Sequence, residues 1–492
     1  MTIKQDFYAV LGIRRNATPE EIREAYFEAA RRLHPDKNLA PGETELFLDV
    51  QEAYEVLSNL KKRANYDASL PPEKKPEFLL EQNILFSRHG LSRLDEPQII
   101  YVILEFSIPM DVEKHPVPPL NMCLVLDRST SMKGSNMDVV KATAIRIMQK
   151  LKPEDIFSVV AFSDRAETLI PATHITDLSK QEARIQMMQP SGGTEIFSGL
   201  EMGYNEIIRN ANRSQVNHII LLTDGRTYGD EDNCISLAQR AAEQGIGISG
   251  LGIGSEWNDN FLDKLAALTG GSSMYVPRAQ DIQHALLDKF NRLGNSYAEE
   301  ARLEFEAQEG IELRYAFRLQ PEAGLLSFES PIMMGQLVWE SSLKVLMEFI
   351  IQPGLVQQAK VTILNGKIIV VLTGKSSPEE PVPIRLVCPV LDSTNSEAPP
   401  FEIVDALSRL KLYRLQEQAR LEATAGDYEQ AAEHLMRLAT HLLAQGERGL
   451  AKTALMEAEN LQEKKSFSQE GGKEIKYGTR ALLRSGRLAE KK

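Results

Sequence analysis

Asn121-Met122-Cys123-Leu124-Val125-Leu126-Asp127 is a short, nearly all-apolar run that ends in an acid. A strand with no polar face must be covered on both sides, which puts it at the centre of a parallel sheet flanked by helices; its acid then falls at the carboxyl edge, where such sheets carry their sites. The pattern downstream repeats this alternation. Ser135 to Leu151 places Val140, Ala144, Ile147, Met148 and Leu151 on one helical face, and Ile156 to Phe162 reads as a second buried strand. Val216 to Thr223 reads as a third strand ending at Asp224-Gly225, Ile246 to Ile253 as a fourth and Ser272 to Val276 as a last edge. Residues 119–292 are therefore expected to form a doubly wound α/β domain.

Three segments of that domain would converge above the carboxyl edge: Asp127-x-Ser129-x-Ser131, Thr194 in Ser191-Gly192-Gly193-Thr194, and Asp224 in Thr223-Asp224-Gly225. Together they offer five oxygen ligands. A hard divalent cation takes octahedral oxygen coordination at about 2.1 Å, and Mg²⁺ suits the set, with Ca²⁺ or Mn²⁺ as alternatives. Two carboxylates balance its charge, three hydroxyls complete most of the shell, and one position stays open. With few anionic ligands the ion remains electrophilic enough to accept a carboxylate oxygen from a partner protein, which is recognition rather than hydrolysis. The turn after the first strand, Asp127-Arg128-Ser129-Thr130-Ser131, is no Gly-x-Gly-x-x-Gly loop, so dinucleotide binding is not expected. These residues resemble the von Willebrand factor A family and its metal-ion-dependent adhesion site, with all five motif positions intact. The resemblance implies that Ser129, Ser131 and Thr194 bind the metal directly, and Asp127 and Asp224 directly or through water.

Working toward the N-terminus, Thr18-Pro19-Glu20-Glu21 combines a hydroxyl N-cap, proline at the first helical position and a capping-box glutamate. The helix it starts runs to about Leu33 with Ile22, Tyr26, Ala29, Ala30 and Leu33 on one face. A second helix from about Glu43 presents Phe47, Val50, Tyr54 and Leu57 to it. Pro35 ends the first helix, and the loop through Asn38-Leu39-Ala40-Pro41-Gly42 displays His34-Pro35-Asp36 at its tip. Flanked by Asp-x-Tyr-x-x-Leu-Gly at Asp6 to Gly12 and Lys-Arg-Ala-x-Tyr-Asp at Lys62 to Asp67, this stretch resembles the J-domain family. That resemblance implies docking onto a DnaK-type ATPase chaperone and stimulation of its ATP hydrolysis. His34, Pro35 and Asp36 would be essential, and Arg23, Arg31, Arg32 and Lys37 would supply positive charge. The two positions after the helix tyrosine, usually basic in the family, are Phe27 and Glu28 here. The cysteine-rich and Gly/Phe-rich segments of general J-proteins are absent, which points to a specialised J-protein with its own cargo module.

Pro71 to Pro76 reads as a linker, residues 71–77 overall, and residues 78–118 hold strands at Phe78 to Ser87 and Gln98 to Pro109. Further strands follow the α/β domain in residues 298–390: Leu303 to Ala307, Ile311 to Arg318, Gly335 to Trp339, Leu343 to Ile351, Ala359 to Leu364, Ile368 to Leu372 and Val382 to Val387. Because unpaired edge strands invite aggregation, the simplest assembly inserts the α/β domain into one β-sandwich. Similar architecture occurs in bacterial multidomain proteins that carry the same α/β domain. Residues 400–462 turn helical, with breaks at Gly426-Asp427 and Gly446-Glu447, and are expected to form a helical bundle packed on the sandwich. Residues 463–492 carry nine lysines and arginines against four glutamates and read as a basic tail, solvated or meeting an acidic partner. His434 and His441 read as packing or surface residues.

The composition bounds the function. At 492 residues the chain holds three or four domains by the usual ~100–200 residues per domain. No run of 18 apolar residues free of charge suggests a membrane span, and the first residues lack a secretory signal, so a cytoplasmic protein is expected. Cys123, Cys234 and Cys388 lie far apart and read as buried thiols rather than zinc ligands. A net charge of −13 disfavours nucleic acid as a partner. The leading expectation is a non-enzymatic co-chaperone whose metal domain captures a protein ligand presenting an acidic residue while its J-domain recruits the chaperone. Alternatives are a metal-dependent scaffold with a vestigial J-domain and, last, a chelatase-like accessory subunit, since the chain has no Walker sequence and no nucleophile-base pair.

Overall fold

The computed structural model describes residues 7–13, 17–33, 43–69, 80–109, 118–212, 215–227, 229–306, 308–372, 379–391 and 398–483. The chain divides into two compact units, Met1–Phe78 and Leu79–Lys492.

The first unit contains the helices α1 (Phe7–Leu11), α2 (Pro19–Leu33), α3 (Glu43–Leu57) and α4 (Leu60–Ser69). Pro19 opens α2, where its missing N–H leaves no bond unmade. Tyr8, Leu11, Ile22, Val50, Ala53 and Leu57 form the core. Tyr26 of α2 stacks on Tyr54 of α3 with ring centroids 4.1 Å apart, so the two anticipated faces meet. The two terminal sequence motifs form a clasp. The Tyr8 hydroxyl donates to Asp67 at 2.7 Å, Arg63 donates to the Tyr8 oxygen at 2.9 Å, and the Phe7 amide donates to the Tyr66 oxygen at 2.9 Å.

The second unit opens with β1 (Glu81–Phe86), β2 (Leu91–Ser92) and β3 (Gln98–Ser107). The α/β domain follows, with β4 (Leu120–Asp127), α5 (Ser135–Met148), β5 (Ile156–Phe162), β6 (Ala166–Thr173), α6 (Leu178–Gln186) and α7 (Ile196–Ile208) in its first half. Its second half is β7 (Val216–Thr223), α8 (Glu231–Glu243), β8 (Gly247–Ile253), α9 (Asp259–Thr269), β9 (Ser273–Val276) and α10 (Ala279–Leu293). The sheet order is β6-β5-β4-β7-β8-β9. Every residue of β4 is buried, as an all-apolar central strand requires. Helices cover both faces: α5, α6 and α10 supply Val140, Ile147, Ile185 and Leu286 to one core, while α7, α8 and α9 supply Leu200, Ile207, Leu237 and Leu262 to the other. One strand was not anticipated. β6 pairs antiparallel with β5 at the sheet edge; half-exposed and interrupted by Pro171, it lacks the apolar run that marks the central strands.

After the α/β domain come β10 (Ser296–Phe305), β11 (Ile311–Gln320), β12 (Gly324–Leu325), β13 (Ile332–Val338), β14 (Leu343–Ile351), β15 (Lys360–Leu372) and β16 (Glu379–Leu391). They complete two five-stranded sheets, ordered β1-β3-β14-β11-β12 and β13-β10-β15-β16-β2. β3 lies before the α/β domain and pairs with β14 beyond it, so that domain is an insertion in the sandwich. The two strands expected at Ala359 to Leu364 and Ile368 to Leu372 are a single one, β15, which pairs with β16 throughout. Asn365-Gly366 looks like a turn signal, but Gly366 serves a close approach of strands: a Cβ there would run into the carbonyl oxygen of Glu304 on β10.

The chain ends in α11 (Phe401–Ala425), α12 (Tyr428–Ala444), α13 (Arg448–Lys464) and α14 (Gln469–Leu482). Gly426 closes α11 at φ 88°, and Asp427 caps α12 by accepting from the Gln430 amide. Ile403, Leu410 and Tyr413 of α11 pack on Ile103, Phe317 and Leu346 of the sandwich. The expected solvated tail from residue 463 is corrected here, because α14 occupies much of it. Lys473, Lys476 and Arg480, spaced to share one helix face, are buried against the α/β domain. Lys476 reaches Asp259 at 2.6 Å and Asp263 at 2.7 Å, and Arg480 reaches Asp263 at 2.6 Å. The acidic partner of the basic segment is within the chain. His434 is buried with its Nδ1 2.9 Å from Glu422.

Candidate functional site

β4 and β7 are adjacent parallel strands in register from Leu120↔Val216 to Leu126↔Leu222, so their carboxyl ends bring Asp127 and Asp224 to one place on the sheet edge. The backbone turns sharply after Asp127, whose Oδ1 accepts the Ser129 amide at 2.7 Å while its Oδ2 accepts the Thr223 hydroxyl at 2.7 Å. The short 3-10 turn Thr130–Met132 then carries Ser131 back over the edge. Ser131 Oγ donates to Asp224 Oδ1 at 2.6 Å, and the Ser129 and Ser131 hydroxyls are 2.9 Å apart. Thr194 arrives on the loop before α7. A Cβ added to Gly225 would lie 2.7 Å from Thr194 Oγ1, which places that hydroxyl against the residue next to Asp224. All five anticipated positions are thus assembled at one edge.

The loop bearing Thr194 is held from two sides. Ser191 donates its amide to the Arg128 carbonyl at 2.8 Å, and Arg128 donates a guanidinium N–H to Ser191 Oγ at 2.7 Å. The Thr130 amide and hydroxyl both donate to the Gly192 carbonyl, at 3.1 and 2.9 Å. From the end of β5, Asp164 accepts the Gly193 amide at 2.7 Å. Gly192 has φ 77°, and a side chain there would collide with the Asp164 carboxylate, so only glycine suits the position. Thr223, Asp164, Arg128 and Gly225 are the participants that the motif alone does not reveal. Their only sequence signal is adjacency to strand ends and motif residues.

Asp127, Ser129 and Asp224 are buried, whereas Ser131 is exposed and Thr194 half-buried, so the cluster opens to solvent on the hydroxyl side. Burial pushes the Asp127 carboxyl up to about 6; hydrogen bonds from Ser129 and Thr223 oppose the shift, and the neighbouring Asp224 charge adds to it. Burial also raises Asp224, against the hydroxyls of Ser131 and Ser129. Two desolvated acids facing a ring of neutral hydroxyls form a donor set that fits a hard, oxygen-coordinating cation, whose charge would offset what burial and mutual repulsion cost the carboxylates. Among the described residues, no three His, Cys, Asp or Glu side chains cluster as metal ligands. Cys123, Cys234 and Cys388 are buried, free thiols. No helix among the described residues is long and apolar enough to cross a membrane.

In the first unit, His34, Pro35, Asp36 and Lys37 lie outside the described residues. Arg23, Arg31 and Arg32 fall in α2. Arg23 is exposed and holds its guanidinium 5.7 Å from the ring centroid of Phe27, itself 56% exposed.

Comparison with known proteins agrees with this layout. Residues 6–67 match the DnaJ domain model, residues 121–289 the von Willebrand factor type A domain, and residues 401–485 the Sll0103-like C-terminal alpha-helical domain. The last match extends through α14. The protein sll0103 of Synechocystis sp. is 35% identical over 178 residues, 36% of this chain and 42% of that protein. The chaperone protein DnaJ of Carboxydothermus hydrogenoformans is 54% identical over 66 residues, 13% of this chain and 17% of that one. The chain therefore spans less than half the length of each of these relatives. The solved structure of a von Willebrand factor type A protein from Catenulispora acidiphila covers 81% of this chain and 96% of its own, with a TM-score of 0.63 at 15% identity, a likeness of fold. The chain is a fusion of an N-terminal DnaJ domain with a von Willebrand factor type A domain set in a β-sandwich and followed by a C-terminal helical domain.

Proposed function

We propose that the chain is a cytoplasmic J-protein co-chaperone and not an enzyme: its von Willebrand factor type A domain captures a client or assembly through a divalent cation while its DnaJ domain recruits and stimulates a DnaK-type ATPase. The observation that carries this reading is the convergence of Asp127, Ser129, Ser131 and Asp224 in one hydrogen-bonded cluster, with Thr194 alongside. In it Asp127, Asp224 and the three hydroxyls would hold Mg²⁺. When bound, the ion supplies a Lewis-acidic position for a carboxylate of the partner. The side chains orient that position, and burial of both acids keeps water from competing for their oxygens. A client held by one domain would be presented to a chaperone docked on the other, at an effective concentration set by the chain that joins them.

Two measurements test the reading. A DnaK-type ATPase should turn over ATP faster with the full chain and lose that stimulation with His34→Gln. Affinity capture from a cell extract should retain partners in Mg²⁺ that a chelator releases. No stimulation by the wild-type chain would leave the scaffold reading, in which the DnaJ domain is vestigial. That second reading is favoured by Phe27, an exposed aromatic on α2 where the family is usually basic.

A further inference from the structure

A cleft of about 830 Å³ lies where α9 of the inserted domain faces the sandwich and the C-terminal helices. The acids in its wall are already engaged: Asp259 is paired with Arg420 and Lys476, Asp263 with Lys476 and Arg480, and Glu417 accepts from the Tyr315 hydroxyl at 3.4 Å. The cations are in excess. Lys264 and Lys465 are exposed and make no ion pair among the described residues. Arg226 gives its Nε to the Glu256 carbonyl at 3.1 Å, and Lys473 gives its ammonium to the Ser255 and Trp257 carbonyls, so neither meets a carboxylate among the described residues. A concentration of unpaired positive charge in a chain of net charge −13 is a local reversal of sign.

The same cleft exposes apolar surface. Leu421 on α11 is 71% exposed and Phe328 on the sandwich 42% exposed. Behind them Gln416 is 1% exposed, and neither its carboxamide oxygen nor its nitrogen has a hydrogen-bond partner among the described residues. Burial lowers Lys473 to about 8, a cost that an anion in the cleft would reverse. Exposed aliphatic and aromatic side chains rimmed by dispersed cations suit an extended acidic chain with an apolar anchor. Clustered phosphates would call for cations drawn to one point.

We propose that this cleft is a docking groove for an acidic protein segment bearing one large apolar side chain, with carboxylates on Lys264, Lys465 and Arg226 and the apolar group against Leu421 and Phe328. None of Asp127, Ser129, Ser131, Thr194 and Asp224 lines the groove, and docking there needs no cation.

The test uses the full chain in a chelating buffer and a dye-labelled peptide of glutamates with one central leucine, read by fluorescence anisotropy. The peptide is expected to bind, to weaken as salt rises, and to lose about tenfold or more in affinity with the double variant Lys264→Glu, Lys465→Glu. Leu421→Ser, at an exposed position that leaves folding intact, is expected to weaken binding several-fold by removing the anchor contact. A lysine-leucine peptide is expected not to bind. Equal binding by all variants would overturn the proposal, as would displacement of the peptide by ATP, which would mark a nucleotide site. Binding only when Mg²⁺ is added would place the peptide on the Asp127 cluster, supporting that reading and refuting this one.

Discussion

Ser131 Oγ and Asp224 Oδ1 are 2.6 Å apart although their residues are 93 positions apart in the chain. The contact ties the turn after β4 to the end of β7. Because Ser131 is exposed, Ser131→Ala is expected to change stability without cation by no more than about 1 kcal/mol. It should also abolish most of the rise in melting temperature on adding Mg²⁺, since binding to the folded state alone is what produces that rise. Thermal scans of wild type and variant with Mg²⁺ and with a chelator check it; equal Mg²⁺-induced shifts would remove Ser131 from the site.

Gly225 offers a sharper probe of Thr194. Alanine there would bring a methyl group to 2.7 Å from Thr194 Oγ1 and push the hydroxyl away from the cluster. Thr194 is half-buried at the mouth of the site, so it has room to move and the fold should survive. Gly225→Ala is therefore expected to reduce Mg²⁺ affinity about tenfold, comparable to disturbing a group that orients a metal ligand, as read by calorimetric titration. Unchanged affinity would mean that Thr194 contributes nothing to cation binding.

Where the sequence marks the candidate site is at Asp127 and Asp224, because these acids stand at strand ends and strand ends are marked by composition. Asp127 closes a run that is buried at every position, and Asp224 follows another. What the sequence could not display are partnerships between distant polar groups. Asp164 has no local mark of its hold on Gly193, and Lys476 and Arg480 look like a solvated basic stretch until Asp259 and Asp263 are brought beside them from more than 200 residues away. Gly366 misled for a related reason, since a glycine that admits a neighbouring backbone and one that makes a turn are spelled alike.

In the DnaJ domain, the clasp between Tyr8 and Asp67 explains why the first and last motifs occur together. Tyr8 is 2% exposed and its hydroxyl both donates to Asp67 and accepts from Arg63. Tyr8→Phe is expected to destabilise the domain by about 1–3 kcal/mol, because Arg63 loses an acceptor inside the fold. Hydrogen exchange of the full chain should show faster exchange in α1 and α4 and no change in α5. Uniform exchange in all three helices would deny the clasp any role.

Lys476 and Arg480 on one side and Asp259 and Asp263 on the other make the contact that holds α14 to the α/β domain. Burial alone would raise both carboxyls, but Arg420 and Lys476 beside Asp259, and Arg480 and Lys476 beside Asp263, overcome it and hold both well below the ordinary carboxylate range. A carboxyl depressed in the folded state contributes stability that is fully present above its unfolded value, near ~3.9, and is lost as the pH falls toward its folded value. Protection of α14 amides is thus expected to be constant from about pH 7, below the range in which Lys473 titrates, to pH 5 and to decline progressively below about pH 4. Removing one acid at neutral pH should act more abruptly: Asp263→Ala leaves Arg480 and Lys476 buried with one anion fewer, at a cost of about 3–5 kcal/mol. Limited proteolysis should then cut α14 while the sheet core stays resistant. Undiminished protection of α14 in Asp263→Ala would show that the apolar packing of Ile475 and Tyr477 holds the helix without the charges.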